Sequence, residues 1–425
     1  MTQVDVLIVT VLPEEYQAAR TAANGVVEWT ESDPDGTTPY LAGMYRSVTG
    51  APLSVALARP TRMGGRSTSP VGTTLTDRLR PTCLAMCGVC AGNPDETAAG
   101  DVVVAARTYE YDEGSQLGPT FHGDHVQYPQ DERWLRIAQD FDPRALPSYG
   151  EATEQEAAVW LLECLLRRRD ARKHPARARY FPRGTWQPRL QKLEADRLIA
   201  WESAGWVLTD AGTAVIQRIL DAEEVDGPDR LPFAVRTGAM ASGSAVIRDP
   251  DIWDRLQRMG NWRITALDME AATIATIAHS RQVPHWLVVK GVMDRADFDK
   301  DDRFKAFAAR ASAEVLFDLL GRLLAPAPDT RRRPALAANG PGERTLDASA
   351  TSVQDEVIRR LHYDWQDLAD VFGIPPIYWR ELPAGDEPRG LWQWLEDRGR
   401  LADLPDALDE LGRADLAALM RRQNG

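Results

Sequence analysis

The stretch VLIVTVLPEEYQAA, residues 6–19, decides the fold. Its first seven positions are aliphatic or β-branched with no polar alternation, the pattern of a strand buried on both faces. Pro13 stands where the first turn of a helix accepts it. A strand therefore runs straight into a helix, and Glu14 and Glu15 sit at the joint. Two distant stretches match it in kind. ALDMEAATIA at 266–275 reads as a small-residue helix with a buried acid, and WLVVKGVMDRAD at 286–297 as an apolar strand ending on Asp294. In an α/β sheet such strand ends face one crevice, so carboxylates from all three stretches converge on a single cleft.

Working outward, LSVALARP, PTCLAMCGVCAG and GDVVVAARTYEY read as further strands, with STSPVGTTLTDRLRP as a helix between the first two. The alternation predicts an α/β domain with helices on both faces of its sheet. Residues 1–150 form its first part. From Glu151 the pattern changes to an amphipathic helix, a basic loop, a helix, the hairpin AWESAGWVLTD and a helix, so 151–230 is predicted as an inserted, winged-helix-like segment. The α/β pattern resumes over 231–325. Residues 326–350, rich in Pro, Ala, Gly and charge, read as a linker. Residues 351–425 read as a separate all-α domain, too apolar to stay disordered.

Composition sets the outer bounds. A chain of 425 residues, 44% hydrophobic, supports several cores, and a formal net charge of -13 argues against a nucleic-acid coat or a membrane-surface protein. Asp5, Glu14 and Glu15 interrupt any leader pattern, and no apolar run is long enough for a bilayer, so a cytoplasmic protein without membrane contact is expected. Three of the four cysteines, Cys83, Cys87 and Cys90, lie along one predicted strand. They read as small core residues, and neither they nor His122 and His125, taken as exposed loop residues, make a metal site. No cofactor is implied, since glycine-rich nucleotide loops are missing from the sequence.

The acids carry the chemistry. Breaking a purine N-glycosidic bond leaves positive charge on the sugar and negative charge on the base, so a catalyst needs an acid at the base and acceptors at the sugar. Asp294, at a strand end where partial burial favours its protonated form, suits the purine N7. Glu270, on a helix face otherwise made of Ala and Ile, needs hydroxyl partners, which a ribose supplies. Glu15 can accept a proton from water. Arg59, Arg62 and Arg66 in RPTRMGGRSTSP could bind a substrate phosphate.

GVCAGNP, GDVVVA, SGSAVI, ALDMEAA and VVKGVMDRAD resemble, in this order, the motifs of the nucleoside phosphorylase superfamily, in particular its methylthioadenosine/adenosylhomocysteine nucleosidase branch. The similarity covers residues 4–110 and 233–324. It implies a phosphorylase-like sheet core, Asp294 as the acid at the base, Met269 and Glu270 at the ribose, and Glu15 as the water activator. It also implies Val246 and Ile247 against the base, with Cys90, Ala91 and Gly92 as the neighbouring wall. The family commonly has an aromatic residue where Val246 stands, and Ser or Thr where Met293 stands.

The tail resembles the effector-associated, death-like adaptor domains of bacterial conflict systems, on WRELP and LWQWLEDRGRL. The combined expectation is a homo-oligomeric N-glycosidase effector in antiviral defence. It would hydrolyse a purine nucleoside or nucleotide, adenine nucleotides among them, and meet a protein partner through the tail. Two alternatives stay open: a purine nucleoside phosphorylase and a non-catalytic nucleotide sensor. Three readings stay open for the basic run from Arg167 to Arg183: nucleic-acid contact, polyphosphate contact and a solvated surface.

Overall fold

The computed structural model describes residues 3–33, 36–46, 52–118, 120–203, 205–223, 227–259, 263–298 and 302–324, and in the C-terminal region 357–358, 361, 365–372, 387–411 and 413–423. The chain divides into two compact units, Met1–Arg331 and Arg332–Gly425. The predicted linker 326–350 and the WRELP motif lie outside the described residues.

The first unit is built on strands β1 (Val6–Val9), β2 (Trp29–Ser32), β3 (Tyr40–Arg46), β4 (Pro52–Ala58), β5 (Cys83–Gly92) and β6 (Val102–Glu110). A small hairpin, β7 (Gly114–Leu117) and β8 (Thr120–Gly123), and the short β9 (Tyr128–Pro129) follow. β10 (Ile199–Glu202) and β11 (Gly205–Leu208) form a second hairpin, and β12 (Val235–Ser242), β13 (Ile264–Asp268) and β14 (His285–Asp294) complete the sheet. The order is β13-β12-β6-β14-β5-β1-β4-β3-β2, with β9 beside β6. β13 also pairs back onto the end of β5 through Ala266–Gly92 and Leu267–Ala91, so one half of the sheet curls closed on itself. β1 runs parallel to β4 and β5, and β5 parallel to β14, which puts their C-terminal ends on one side.

Alternation along each strand divides the core in two. Val6, Ile8, Val55, Leu57, Cys83, Ala85 and Cys87 face one way, onto Ala19 of α1 (Pro13–Thr21) and the Phe307–Leu323 stripe of the last helix of the unit. Leu7, Val9, Ala56, Ala58, Leu84, Met86 and Cys90 face the other. They meet Leu75 and Leu79 of α2 (Gly65–Leu79), and Ile274 and Ile277 of the helix Ala271–Ser280. Helices thus cover both faces, as predicted. Cys83, Cys87 and Cys90 are buried and free, with thiols pushed well above their ordinary pKa by desolvation. His122 lies on β8 instead of in a loop. His125 is half-buried beneath Tyr109, with its Nε2 3.1 Å from the Tyr111 carbonyl, so only His122 is exposed as expected.

After α3 (Glu132–Gln139), the inserted segment comprises α4 (Glu154–Leu166), α5 (Arg177–Tyr180), α6 (Trp186–Ala195), the β10–β11 hairpin and α7 (Asp210–Glu223). Thr153 and Glu156 cap α4 reciprocally, the Thr153 hydroxyl accepting from the Glu156 N–H and the Glu156 carboxylate from the Thr153 N–H. The segment has its own apolar core around Leu161, Leu162, Phe181, Leu190 and Ile216. α8 (Ile252–Arg258), α9 (Ala271–Ser280) and α10 (Lys305–Leu323) complete this unit.

In the second unit, helices Trp365–Val371, Glu387–Asp397, Leu404–Glu410 and Ala414–Gln423 surround a core that includes Leu368, Leu391, Leu395, Leu408, Leu416 and Met420. Its described elements are all helical, as predicted. Among the described residues, no helix of the chain is long and apolar enough to cross a membrane.

Candidate active site

β14 delivers the acid through a bulge. Val292 pairs with Cys90 and Asp294 with the next residue, Ala91, so Met293 is the extra residue that re-aims the strand end. Asp294 Oδ1 accepts the Ala296 N–H at 2.9 Å, and Ala296 takes a left-handed φ of 60° to supply it. The carboxyl is buried and lines the cleft.

Glu270 is not inside a helix, contrary to the sequence expectation. The residues before it form β13, and Glu270 is the N-cap of α9. Its Oε1 accepts the Gly64 N–H at 2.7 Å. Gly64 has a φ of 96°, a conformation that glycine adopts without the cost of a Cβ. Behind Glu270 lies Lys290, a lysine within an apolar strand and fully buried. Its Nζ is 3.2 Å from Asp268 Oδ2 and 3.4 Å from Glu270 Oε2. Burial opposes its charge, but Asp268, Glu270 and Glu15 outweigh that effect and hold the ammonium protonated. Asp268 is anchored by the Ser242 hydroxyl at 2.7 Å and the Ala271 N–H at 2.9 Å.

Desolvation, reinforced by Asp268 and Glu15 and opposed by Lys290, pushes the Glu270 pKa up to about 7. A protonated Glu270 is the poorer acceptor for sugar hydroxyls. The Michaelis constant for a riboside should therefore fall as pH rises through about 7. In Glu270→Gln this dependence should vanish, with catalytic efficiency on ribosides down roughly tenfold to a hundredfold. Glu110, raised to about 7 by burial and Asp268, titrates in the same range, so the variant is what assigns the dependence. Equal losses on 2′-deoxy substrates would make Glu270 structural.

Glu15 is also buried. Its Oε2 accepts the N–H groups of Val11 (2.8 Å) and Leu12 (2.9 Å), and its Oε1 accepts that of Val89 (2.8 Å). A Cβ on Gly88 would come 2.3 Å from Oε1, so the bare glycine makes room for the carboxylate. With two lone pairs on each oxygen, Oε1 retains capacity for a water proton.

Asp294, Glu270, Asp268 and Glu15 line one cavity of about 280 Å³, together with Met269, Val246, Ile247, Cys90 and Ala91. Gly92 does not line it: it sits one residue further along β5, paired to Ala266. Arg62 and Arg66 are exposed and also lie outside the lining, as does Arg59, whose guanidinium stacks over the Tyr16 ring. Lys305, which does line the cavity, was missed in the sequence. Its Nζ is 2.8 Å from Glu14 Oε1. Lys290 was missed too, although a lysine in an apolar strand signals a buried counter-charge.

Four side chains of the basic run of the insertion are in ion pairs. Arg179 forms a two-pronged pair with the buried Asp101 of the sheet domain. Arg167 pairs with Glu163, Arg169 with Asp297, and Arg172 with Asp170. Of these, Arg179 and Arg169 tie the insertion to the sheet domain, and Arg167 and Arg172 pair within the insertion.

Among known proteins, residues 205–325 match the Phosphorylase superfamily and residues 352–423 match Bacterial Death-like domain 3. The chain is 24% identical over 328 residues to an ATP nucleosidase, Cap17, of Escherichia coli (strain KTE188), covering 74% of this chain and 50% of that protein. It is 32% identical over 95 residues to a 5'-methylthioadenosine/S-adenosylhomocysteine nucleosidase of Glaesserella parasuis serovar 5 (strain SH0165), covering 22% of this chain and 40% of that one. A solved nucleosidase of this last type from Neisseria meningitidis superposes with a TM-score of 0.45 at 15% identity, over 75% of this chain and 99% of that chain. The chain spans about half the length of the ATP nucleosidase it matches.

Proposed function

We propose that this chain, with its phosphorylase-superfamily core and death-like tail, hydrolyses the base–ribose bond of a purine nucleotide. The observation that carries the reading is the convergence of Asp294, Glu270 and Glu15 on one cavity of about 280 Å³. That is near the lower end of small-molecule sites, roughly 300–1,000 Å³, and suits the base and sugar of one nucleoside. Asp294 donates a proton to N7 as the C1′–N9 bond breaks, so the base leaves neutral. Glu270 accepts from the ribose hydroxyls. Glu15 takes a proton from the water whose oxygen bonds to C1′. Val246, Ile247, Cys90 and Ala91 form the apolar wall beside the base.

Hydrolysis is favoured over phosphorolysis because the cavity is lined by acids, Glu15 among them, that repel a phosphate nucleophile, and Lys290 is committed to Asp268 and Glu270. Similarity to an ATP nucleosidase over 74% of the chain supports an adenine nucleotide as the substrate. The death-like match supports a defence effector in which the tail meets a protein partner. The test is incubation of the full chain with adenine and guanine nucleosides and their mono-, di- and triphosphates, with and without inorganic phosphate, followed by chromatography of the free base. Base release that requires added phosphate would make the enzyme a phosphorylase. Tight nucleotide binding with no base released would make it a sensor.

A further inference from the structure

A second chamber, about 610 Å³, lies between the insertion and the sheet domain, and Met293 and Asp294 line both it and the catalytic cleft. The two spaces differ in charge. The cleft lining carries Glu15, Asp268, Glu270, Asp294 and Asp302 against Lys305 alone, so a polyphosphate is repelled from it. On the chamber side of Asp294 stand Arg167, Arg169, Arg295 and Arg303. With Arg230, the chamber lining carries five arginines against the five carboxylates of Glu156, Glu163, Asp229, Asp294 and Asp297, so it is balanced where the cleft is acidic; Glu163 serves both Arg167 and Arg303, and Asp297 serves Arg169.

Arg295 is the best-placed of these groups. Among the described residues it has no carboxylate partner, and its Nη2 lies 2.7 Å from His174 Nε2. The other ring nitrogen, Nδ1, faces the Ala176 N–H at 3.1 Å. Burial and the neighbouring cations Arg295, Arg169 and Arg179 lower the His174 pKa to about 3, so the ring is neutral. A neutral imidazole has one acceptor nitrogen, so it cannot satisfy both donors. The guanidinium, largely buried and held near pKa 10 by desolvation and Arg169, is thus short of an anion.

We infer that this chamber is the subsite for the phosphate chain of the substrate, with Arg295 and Arg169 as its principal ligands. The inference rests on the glycosidase reading and narrows its substrate to a nucleoside polyphosphate. The stereochemistry agrees: in an anti purine nucleotide the N7/C8 edge lies on the side of the sugar that carries the 5′-oxygen. An acid at N7 therefore borders the path by which the phosphates leave, and Asp294 borders the chamber. Asp297 and Glu163 release their arginines in part to the phosphates, which offer Arg the same two-pronged geometry.

The test uses the full chain, wild type, Arg295→Gln and Arg169→Gln, with thermal melting to confirm folding. Catalytic efficiency of wild type should rise from nucleoside to triphosphate, and the triphosphate-to-nucleoside ratio should fall by at least about tenfold in Arg295→Gln. Inorganic tripolyphosphate, titrated calorimetrically, should bind wild type and lose a similar factor in each variant. If Arg295→Gln fails to fold, Arg169→Gln, at a partly exposed position, decides. Base release with an unchanged ratio in folded variants overturns the subsite and leaves the glycosidase standing. Tripolyphosphate binding that depends on Arg295, with no base released from any substrate, upholds the subsite and overturns the glycosidase.

Discussion

Asp294→Asn should keep the fold and lose base release by on the order of a hundredfold or more. The substitution is well matched to the site. Asn retains an oxygen for the Ala296 N–H, now accepted by Oδ1 at 2.9 Å, so the bulge at Met293 and the left-handed turn at Ala296 have no reason to move. What Asn cannot do is release a proton to a ring nitrogen. An unprotonated purine is a poor leaving group, and the remaining machinery, Glu270 at the sugar and Glu15 at the water, acts on the other side of the scissile bond. The comparison should use the best substrate of the panel, with nucleotide affinity measured separately. A variant that binds as wild type does and cleaves at a similar rate would remove Asp294 from the mechanism. A variant that cleaves slowly only because it binds poorly would make it a binding group.

The parts of this site that were legible in the sequence share a physical signature. β1, β5, the first half of β6 and most of β14 are buried on both faces, so they read as largely apolar runs; Asp294 ends β14, and Glu15 falls in the first turn of the helix after β1. β2 and β3, at the edge of the sheet, are half-exposed and carry no such run, so Trp29–Ser32 and Tyr40–Arg46 went unread. β13 was merged into the helix that follows it because Asp268, Met269 and Glu270 separate strand from helix by only a step. That merger moved Glu270 from an N-cap into a helix interior. The pairing of the insertion's charges is not legible in the sequence for another reason: the partner of Arg179, Asp101, is 78 positions away, and only the fold brings the pair together. A run of arginines shows that positive charge exists, but not what neutralises it.

Lys290→Met should be the most damaging substitution to stability in the sheet domain. Methionine matches the stem of lysine in length and suits the apolar strand, so the loss is one of charge alone. It leaves Asp268 and Glu270 buried without their counter-ion, with Glu15 adding to the repulsion. Breaking a buried ion pair from one side costs about 3–5 kcal/mol, enough to lower the melting temperature by on the order of 10 °C. The sign of the pH dependence distinguishes this cause from a packing defect. Glu270 already has a raised pKa, and without Lys290 it rises further. An acid whose folded pKa lies above its unfolded value costs nothing below the unfolded value, about 4.5, and increasingly destabilises as pH rises towards the folded one. Wild type bears the same cost up to about pH 7, so the Glu270 part of the Lys290→Met deficit should be small near pH 5 and grow as pH rises above about 7. Lys290's own stabilising contribution is lost only as pH rises through its still higher folded pKa, outside that window. Melting curves of wild type and variant across pH 5 to 8 are the measurement. A deficit of the same size at both ends would mean that Glu270 does not depend on the charge of Lys290.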